Sequence, residues 1–150
     1  MTNQCNVIHM LEDKEPPSIV KGIMTKPVIT VDKGRSVYEA ARIMSEEKIG
    51  CIVVTDEGRP AGITTERDIL QRVVAKGLDA SKVKMKDIAS KPLITIKGNM
   101  SIVKTIRVMQ KNNVRHLPIM EEKELVGIVT QRDLLRALAL HVLISFRPLL

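Results

Sequence analysis

Two threonine–aspartate pairs are the residues of this chain best suited to chemistry. Thr65 and Asp68 lie three positions apart, and Thr130 and Asp133 repeat the spacing 65 positions later. Each pair stands where an apolar run gives way to a helical pattern. A helix N-terminus offers N–H donors to a phosphate, and a carboxylate can accept hydrogen bonds from both hydroxyls of a ribose. The same spacing is typical of a capping box. For one isolated copy the cap is the favoured interpretation, but the two roles can coexist.

Both pairs belong to a duplicated sequence unit. The segment Gly62-Ile-Thr-Thr-Glu-Arg-Asp68 returns as Gly127-Ile-Val-Thr-Gln-Arg-Asp133. Other positions keep the same offset without a gap: Pro27 with Pro92, Thr30 with Thr95, Ser36 with Ser101, and Met44 with Met109. An ungapped repeat of this length indicates a duplicated supersecondary unit.

Each unit is predicted to have the element order β-α-β-β-α. The predicted strands are 28–31, 51–55 and 60–65 in the first unit, and 93–96, 116–120 and 125–130 in the second. Helices are predicted to begin after Ser36 and Ser101, and again at Glu66 and Gln131. Ser36 with Glu39 forms a capping-box pattern, and the helical spacing that follows gives one apolar face: Val37, Ala40, Ala41 and Met44. Because such short strands are not stable alone, we expect the two units to bury each other's apolar faces.

The predicted organisation is an arm at 1–18, a first unit at 19–77, a linker at 78–84, a second unit at 85–144 and a tail at 145–150. Gly77 is suited to end the preceding helix. The last helix is apolar on nearly all sides: Leu134, Leu135, Leu138, Ala139, Leu140, Val142, Leu143 and Ile144. Such a helix needs cover on all sides, so we predict a homodimer built partly on it.

Composition narrows the classes of partner. The 150 residues carry a net charge of +7, which favours anionic partners such as nucleotides, nucleic acid or acidic protein surfaces. The aromatic residues are Tyr38 and Phe146 alone. This scarcity argues against nucleic-acid modules that stack bases on aromatic rings. The lysines at 82, 84, 86, 91 and 97 alternate with other residues, which is more typical of a solvated face.

Other site classes lack support in the sequence. Two cysteines, Cys5 and Cys51, are few enough to be typical of an intracellular protein, and Cys5 with His9 falls far short of a zinc site. The N-terminus is polar, and the apolar stretch 134–144 is too short to span a bilayer. No Walker loop, H-E-x-x-H motif or nucleophile–base pairing is visible. We therefore expect a cytoplasmic protein that is not an enzyme, needs no metal and does not bind membranes.

On these motifs the chain resembles the cystathionine β-synthase (CBS) domain family. The resemblance rests on G-I-T-T-E-R-D and G-I-V-T-Q-R-D, each closing a β-α-β-β-α unit, and on the segment Asn113-Val-Arg-His-Leu-Pro-Ile119. It spans about residues 20–141 and implies an α+β fold of two tandem β-α-β-β-α CBS repeats, packed with pseudo-twofold symmetry as a Bateman module. Such modules bind adenosine-containing ligands, including AMP, ADP, ATP and S-adenosylmethionine, between the repeats. They usually regulate another protein and do not catalyse, so the resemblance implies an energy or metabolite sensor with an unidentified partner.

The resemblance also implies candidate ligand-binding residues around the two threonine–aspartate pairs. Arg115 and His116 open the second strand of repeat two, where basic residues of related domains approach the ligand phosphate; they could equally be a solvated strand end and a partly buried histidine. Gly50 and Cys51 occupy the matching positions of repeat one without charge, so we expect unequal sites. The site with Thr130, Asp133 and Arg115 is the better suited to a charged nucleotide.

Further candidates complete this set. Arg67 and Arg132 could add positive charge beside the pairs. Ile29 and Ile94 are implied as aliphatic walls for adenine, each facing the site of the other repeat, or as ordinary buried strand residues. Two alternatives stay open for the whole chain: a ligand-free dimerisation module in which both motifs serve only as caps, and a nucleic-acid-binding protein, which the missing aromatics argue against.

Overall fold

A computed structural model describes residues 17–145 of the chain. The predicted arm up to residue 16 and the predicted tail beyond Ser145 lie outside these residues, as do Cys5, His9 and Phe146. The domain boundaries drawn from the sequence stay predictions.

Two units of mixed helix and strand follow each other along the chain. A 3-10 turn at Val20–Gly22 precedes β1 (Thr30–Asp32), α1 (Val37–Glu47), β2 (Cys51–Asp56), β3 (Arg59–Thr65) and α2 (Glu66–Arg72). A second 3-10 turn, Val74–Lys76, ends at Gly77, whose φ of 65° is left-handed as expected of a helix stop. The second unit has α3 (Met85–Ile88), α4 (Ile102–Asn112), β4 (His116–Glu121), β5 (Glu124–Thr130) and α5 (Gln131–Ser145). The predicted α+β fold is confirmed.

Side-chain caps fix where the two longer inner helices begin. Ser36 Oγ accepts the Glu39 N–H at 3.2 Å, and the Ser36 N–H donates to Glu39 Oε2 at 2.9 Å, which completes the predicted capping box of α1. Ser101 Oγ accepts the Lys104 N–H at 3.3 Å at the start of α4. The predicted apolar face of α1 points inward, since Val37, Ala40 and Met44 are buried and Ala41 is half-buried.

The two sheets differ at their first strand. In repeat one, β1 pairs in parallel with β2, and β2 pairs antiparallel with β3. In repeat two, β4 pairs with β5, but the strand predicted at 93–96 is reduced to a single bridge between Ile96 and Ile119. Pro118 explains the difference. It occupies the position of Val53, whose N–H donates to Ile29 O at 3.3 Å, and proline has no N–H to donate.

Each repeat lends its first short helix to the core of the other. Val20, from the turn before repeat one, lies in the core cluster of repeat two, and its N–H donates to Met100 O at 3.0 Å. Met85 and Ile88 of α3 lie in the core cluster of repeat one, and the Met85 N–H donates to Arg35 O at 2.9 Å. The repeats therefore bury each other's apolar residues, as predicted, but through exchanged helices that the sequence did not reveal.

The last helix, α5, is only partly covered. Leu134 and Ala137 are buried, whereas Leu135, Val142 and Leu143 are 61%, 54% and 65% exposed. Among residues 17–145, no helix has both the length and the apolar character that crossing a membrane requires.

Candidate functional site

The Thr130–Asp133 pair forms a closed ring of hydrogen bonds at the junction of β5 and α5. The Thr130 N–H and hydroxyl both donate to Asp133 Oδ2, at 2.8 and 2.7 Å, and the Asp133 N–H donates to Thr130 Oγ1 at 3.3 Å. The hydroxyl proton is thus already used. Within the described part of the chain, Asp133 Oδ1 has no hydrogen-bond partner, so one carboxylate oxygen is left for a ligand hydroxyl.

The Thr65–Asp68 pair forms the same ring, but its carboxylate is more fully engaged. The Thr65 N–H and hydroxyl both donate to Asp68 Oδ2 at 2.8 Å, and the Asp68 N–H donates to Thr65 Oγ1 at 3.2 Å. In addition, Arg72 Nη2 lies 3.1 Å from Asp68 Oδ1. The same guanidinium donates to Ile88 O and, at 3.2 Å, to Ser90 Oγ. Arg72 therefore stands between Asp68 and the segment that crosses from repeat two.

No arginine stands at the matching place in repeat two. The residue 65 positions after Arg72 is Ala137, which is 5% exposed. This difference was not predicted from the sequence. Its signal was the spacing of Arg72 four residues after Asp68, which puts the two side chains on one side of a helix.

Strand register places the second set of predicted residues beside each pair. His116 lies opposite Thr130, and Cys51 lies opposite Thr65. The Gln131 N–H donates to Arg115 O at 2.9 Å, and the Glu66 N–H donates to Gly50 O at 3.0 Å. Of the first three α5 donors, the Gln131 and Asp133 N–H groups are thus taken, and the Arg132 N–H is left for an anion.

The charged residues beside the two threonine–aspartate pairs differ. In repeat two, the exposed Arg115 is next to the neutral Gln131 at the start of α5. In repeat one the matching positions are Gly50 and Glu66, and a Cβ on Gly50 would lie 3.6 Å from Glu66 Oε2. Arg115 favours a phosphate at the repeat-two pair, whereas Glu66 opposes one at the repeat-one pair, although the charge of Glu66 also reaches His116. The replacement of Glu66 by Gln131 in the second repeat is a further signal in the sequence for unequal sites.

Burial controls the titration of the two strand residues. Burial lowers the pKa of His116, and the charge of Arg115 acts in the same direction, while Glu66 and Asp133 oppose it. Burial, with a smaller contribution from Glu66, raises the pKa of Cys51 to about 12. His116 is therefore neutral at neutral pH, and Cys51 is a protonated, unreactive thiol.

A short segment of the other repeat lies beside each threonine–aspartate pair. Thr25 pairs with Ile128 of β5, and Ser90 pairs with Ile63 of β3, so each threonine–aspartate strand carries a segment of the other repeat on its flank. The glycine of each motif makes this approach possible: a Cβ on Gly62 would lie 3.0 Å from Ser90 O.

The remaining predicted residues take no part in the hydrogen bonds of either pair. Ile29 is half-buried against the core of repeat one, and Ile94 is half-buried against the core of repeat two. Arg67 and Arg132 are exposed. Their roles toward a ligand stay predictions.

Two surface clefts exist elsewhere. One of about 470 Å³ lies beside α1, lined by Tyr38, Glu39, Arg42 and Glu46 among others. Another of about 390 Å³ lies between the two hairpins, with Val28, Thr55 and Leu125 in its wall. Neither is lined by the threonine–aspartate pairs. Between residues 17 and 145, no three His, Cys, Asp or Glu side chains come together as metal ligands.

Comparisons with known proteins find the same family in both repeats. The CBS domain model matches residues 20–75 and 85–140. The CBS domain-containing protein YhcV of Bacillus subtilis is 36% identical over 117 residues, which is 78% of this chain and 83% of YhcV. The match spans less of two archaeal relatives, uncharacterized proteins of Methanopyrus kandleri and Methanocaldococcus jannaschii: 59% and 62% of their lengths.

Solved structures agree with the fold. The CBS domain pair of protein MJ0100, in complex with 5′-methylthioadenosine and S-adenosyl-L-methionine, superposes with a TM-score of 0.74 at 30% identity and covers 82% of this chain and 98% of that one. A hexameric CBS-CP12 protein from bloom-forming cyanobacteria superposes with a TM-score of 0.76 at 29% identity, covering 81% of this chain and 73% of that one.

Proposed function

Because the chain belongs to the CBS domain family and carries two such domains, we propose that it is a regulatory module that binds an adenosine-containing ligand beside Thr130 and Asp133. One observation carries the proposal. Asp133 Oδ1 lacks a partner within residues 17–145, while Oδ2 is held in place by the Thr130 ring. An oriented carboxylate with a free oxygen suits a ribose hydroxyl, and its orientation lowers the entropic cost of binding.

The ligand proposed for this site is anionic: AMP, ADP or ATP. Arg115 is exposed beside the start of α5, and the Arg132 N–H at the same helix end has no hydrogen-bond partner among residues 17–145. Both donors suit a phosphate, and the positive end of the helix dipole adds to them. S-adenosylmethionine, which MJ0100 binds, shares the ribose but brings positive charge to the same place.

Repeat one is proposed to be the weaker site. Arg72 already occupies Asp68 Oδ1, at 3.1 Å, and bonds the crossing segment at Ser90. A ribose would have to displace this guanidinium. Glu66 adds a negative charge where a phosphate would lie. Any ligand here is expected to be neutral or cationic.

We propose that the module acts as a homodimer on a separate, regulated protein. The exposed leucines and valines of α5 support self-association, and one structural neighbour is a hexamer. We do not expect catalysis, since neither pair has an activated nucleophile beside it: the thiol of Cys51, opposite Thr65, is kept protonated by burial, and the Thr130 hydroxyl donates to Asp133.

A thermal-shift titration with AMP, ADP, ATP and S-adenosylmethionine tests the proposal. A ligand at about 100 times its Kd should add roughly 2.7 kcal/mol to the free energy of unfolding. Arg115→Ala should reduce the affinity for AMP by about tenfold or more, because a charge-assisted hydrogen bond is lost. Lys97→Ala is the control, since it removes one exposed positive charge away from the site.

The alternative is a ligand-free dimerisation module. The complete capping rings of both pairs favour it, because a cap alone accounts for the Thr–Asp spacing. If protein freed of co-purified nucleotide shows no shift with any of the four ligands, this alternative replaces the proposal.

A further inference from the structure

Two helix faces at matching positions of the repeats carry opposite charge. We call Tyr38, Glu39, Arg42 and Glu46 the α1 face, and the residues 65 positions later, Val103, Lys104, Arg107 and Lys111, the α4 face. Tyr38 and Val103 are each 54% exposed, so both faces present an apolar residue to solvent at the same place. Around that residue, two glutamates of the α1 face are replaced by two lysines of the α4 face.

The charges on the α4 face are uncompensated by its own helix. No acidic residue occurs in Ile102–Asn112, and none of its three cations forms an ion pair with another described residue. On the α1 face, Glu39 pairs with Arg35 at 2.7 Å and Glu46 pairs with Arg42 at 3.1 Å. These pairs are exposed and of the weak i,i+4 kind, so they can exchange partners. Asp32 lines the same cleft, so three acidic groups face two arginines there: Asp32, Glu39 and Glu46 against Arg35 and Arg42.

A groove makes the α1 face able to receive a partner. The cleft of about 470 Å³ runs beside α1, and its wall includes Tyr38, Glu39 and Glu46. A helix that brings an apolar side chain flanked by lysines would fill this groove and meet the glutamates. The α4 face of a second copy has that composition.

We propose that two copies associate head to tail, with the α4 face of each packed on the α1 face of the other. The inference rests on the homodimer proposed above and adds its orientation. Twofold symmetry makes the contact occur twice, so both faces of both copies are used. In a head-to-head dimer, the α1 faces of the two copies would meet, so Glu39 and Glu46 of one copy would lie against the same residues of the other. The three cations of the two α4 faces would likewise lie against each other. Such like-charge contacts disfavour that arrangement.

Cross-linking of paired cysteine variants tests the orientation. In a Cys5→Ser background, tagged Tyr38→Cys protein is mixed with untagged Val103→Cys protein and treated with a short bis-maleimide; Cys51 is buried and stays unlabelled. We expect a covalent dimer in the mixture and none with either variant alone. Cross-linking of each variant with itself, or none in any sample of a protein that is dimeric by light scattering, overturns the orientation but leaves the homodimer. A monomer by light scattering overturns both.

Charge reversal on the exposed residues of the α4 face gives an independent test. Lys104→Glu with Lys111→Glu should raise the dimer Kd by about tenfold or more, because the reversed face then meets the acidic α1 face in both symmetric contacts. Adding Glu46→Lys to the same chain should lower the Kd again, because the two faces then carry opposite charge once more. In a head-to-head dimer the α4 reversal would relieve repulsion between the two α4 faces, so an unchanged or lowered Kd would contradict the proposal.

Discussion

Thr64→Val should stabilise the protein. Thr64 is 0% exposed in β3, and its Oγ1 has no hydrogen-bond partner among residues 17–145. A buried hydroxyl without a partner costs about 1–3 kcal/mol. Valine has the same shape and replaces the hydroxyl by a methyl group. The matching residue of repeat two is Val129, also 0% exposed, so the fold accepts valine at this place.

We expect a gain of about 1–2 kcal/mol in the free energy of unfolding, since the methyl group also gains apolar burial. For a chain of this length that corresponds to roughly 3–6 °C in Tm. Scanning calorimetry and urea unfolding measure it, with an unchanged m-value expected. Val129→Thr is the matched control and should destabilise by a similar amount. An unchanged or lowered Tm for Thr64→Val would show that the hydroxyl is satisfied, by water or otherwise, and would refute the reasoning.

Four further predictions concern the site and its surroundings. Gly62→Ala should cost about 1–3 kcal/mol in thermal unfolding, because its Cβ would lie 3.0 Å from the Ser90 carbonyl. Burial lowers the pKa of His116, so stability should be complete above the unfolded value of 6.5 and fall as the pH drops below it; His116→Asn should flatten that slope in Tm measured from about pH 7.5 to about pH 5. With its pKa raised to about 12, Cys51 should resist iodoacetamide in the native Cys5→Ser protein and react after unfolding in urea, which mass spectrometry detects. Arg72→Met should lower the free energy of unfolding by about 1–3 kcal/mol in urea titrations, since Ile88 O and Asp68 lose a charged donor.

Local features were predictable because local chemistry determines them. Ser36 with Glu39 and the 3.6-residue spacing after it fixed the start and the buried face of α1. The hairpins followed from apolar runs that end at Thr65 and Thr130. Because the repeats are offset by 65 residues without a gap, each element predicted in one repeat was also predicted at the matching positions of the other. All of these signals lie within a few residues of the feature they predict.

Long-range pairing was not predictable in the same way. Nothing within Val20–Gly22 or Met85–Ile88 tells which repeat will bury it, and both pack on the other repeat. Pro118 was visible in the sequence. Whether its missing N–H removes a hydrogen bond between strands depends on which strand lies beside it. Arg72 binds Asp68 in a helical spacing, yet its link to Ser90 depends on the crossing of the repeats.

Isothermal titration of AMP into the protein and two matched variants tests whether the ligand site lies at Thr130 and Asp133. Asn at position 133 can still accept the Thr130 hydrogen bonds, so Asp133→Asn keeps the cap and removes the charge that would hold the ribose. We predict saturable AMP binding to the wild-type protein, a loss of at least about tenfold with Asp133→Asn, and a change within about twofold with Asp68→Asn. Absent AMP binding, or equal losses in the two variants, would contradict the assignment of the ligand site to Thr130 and Asp133.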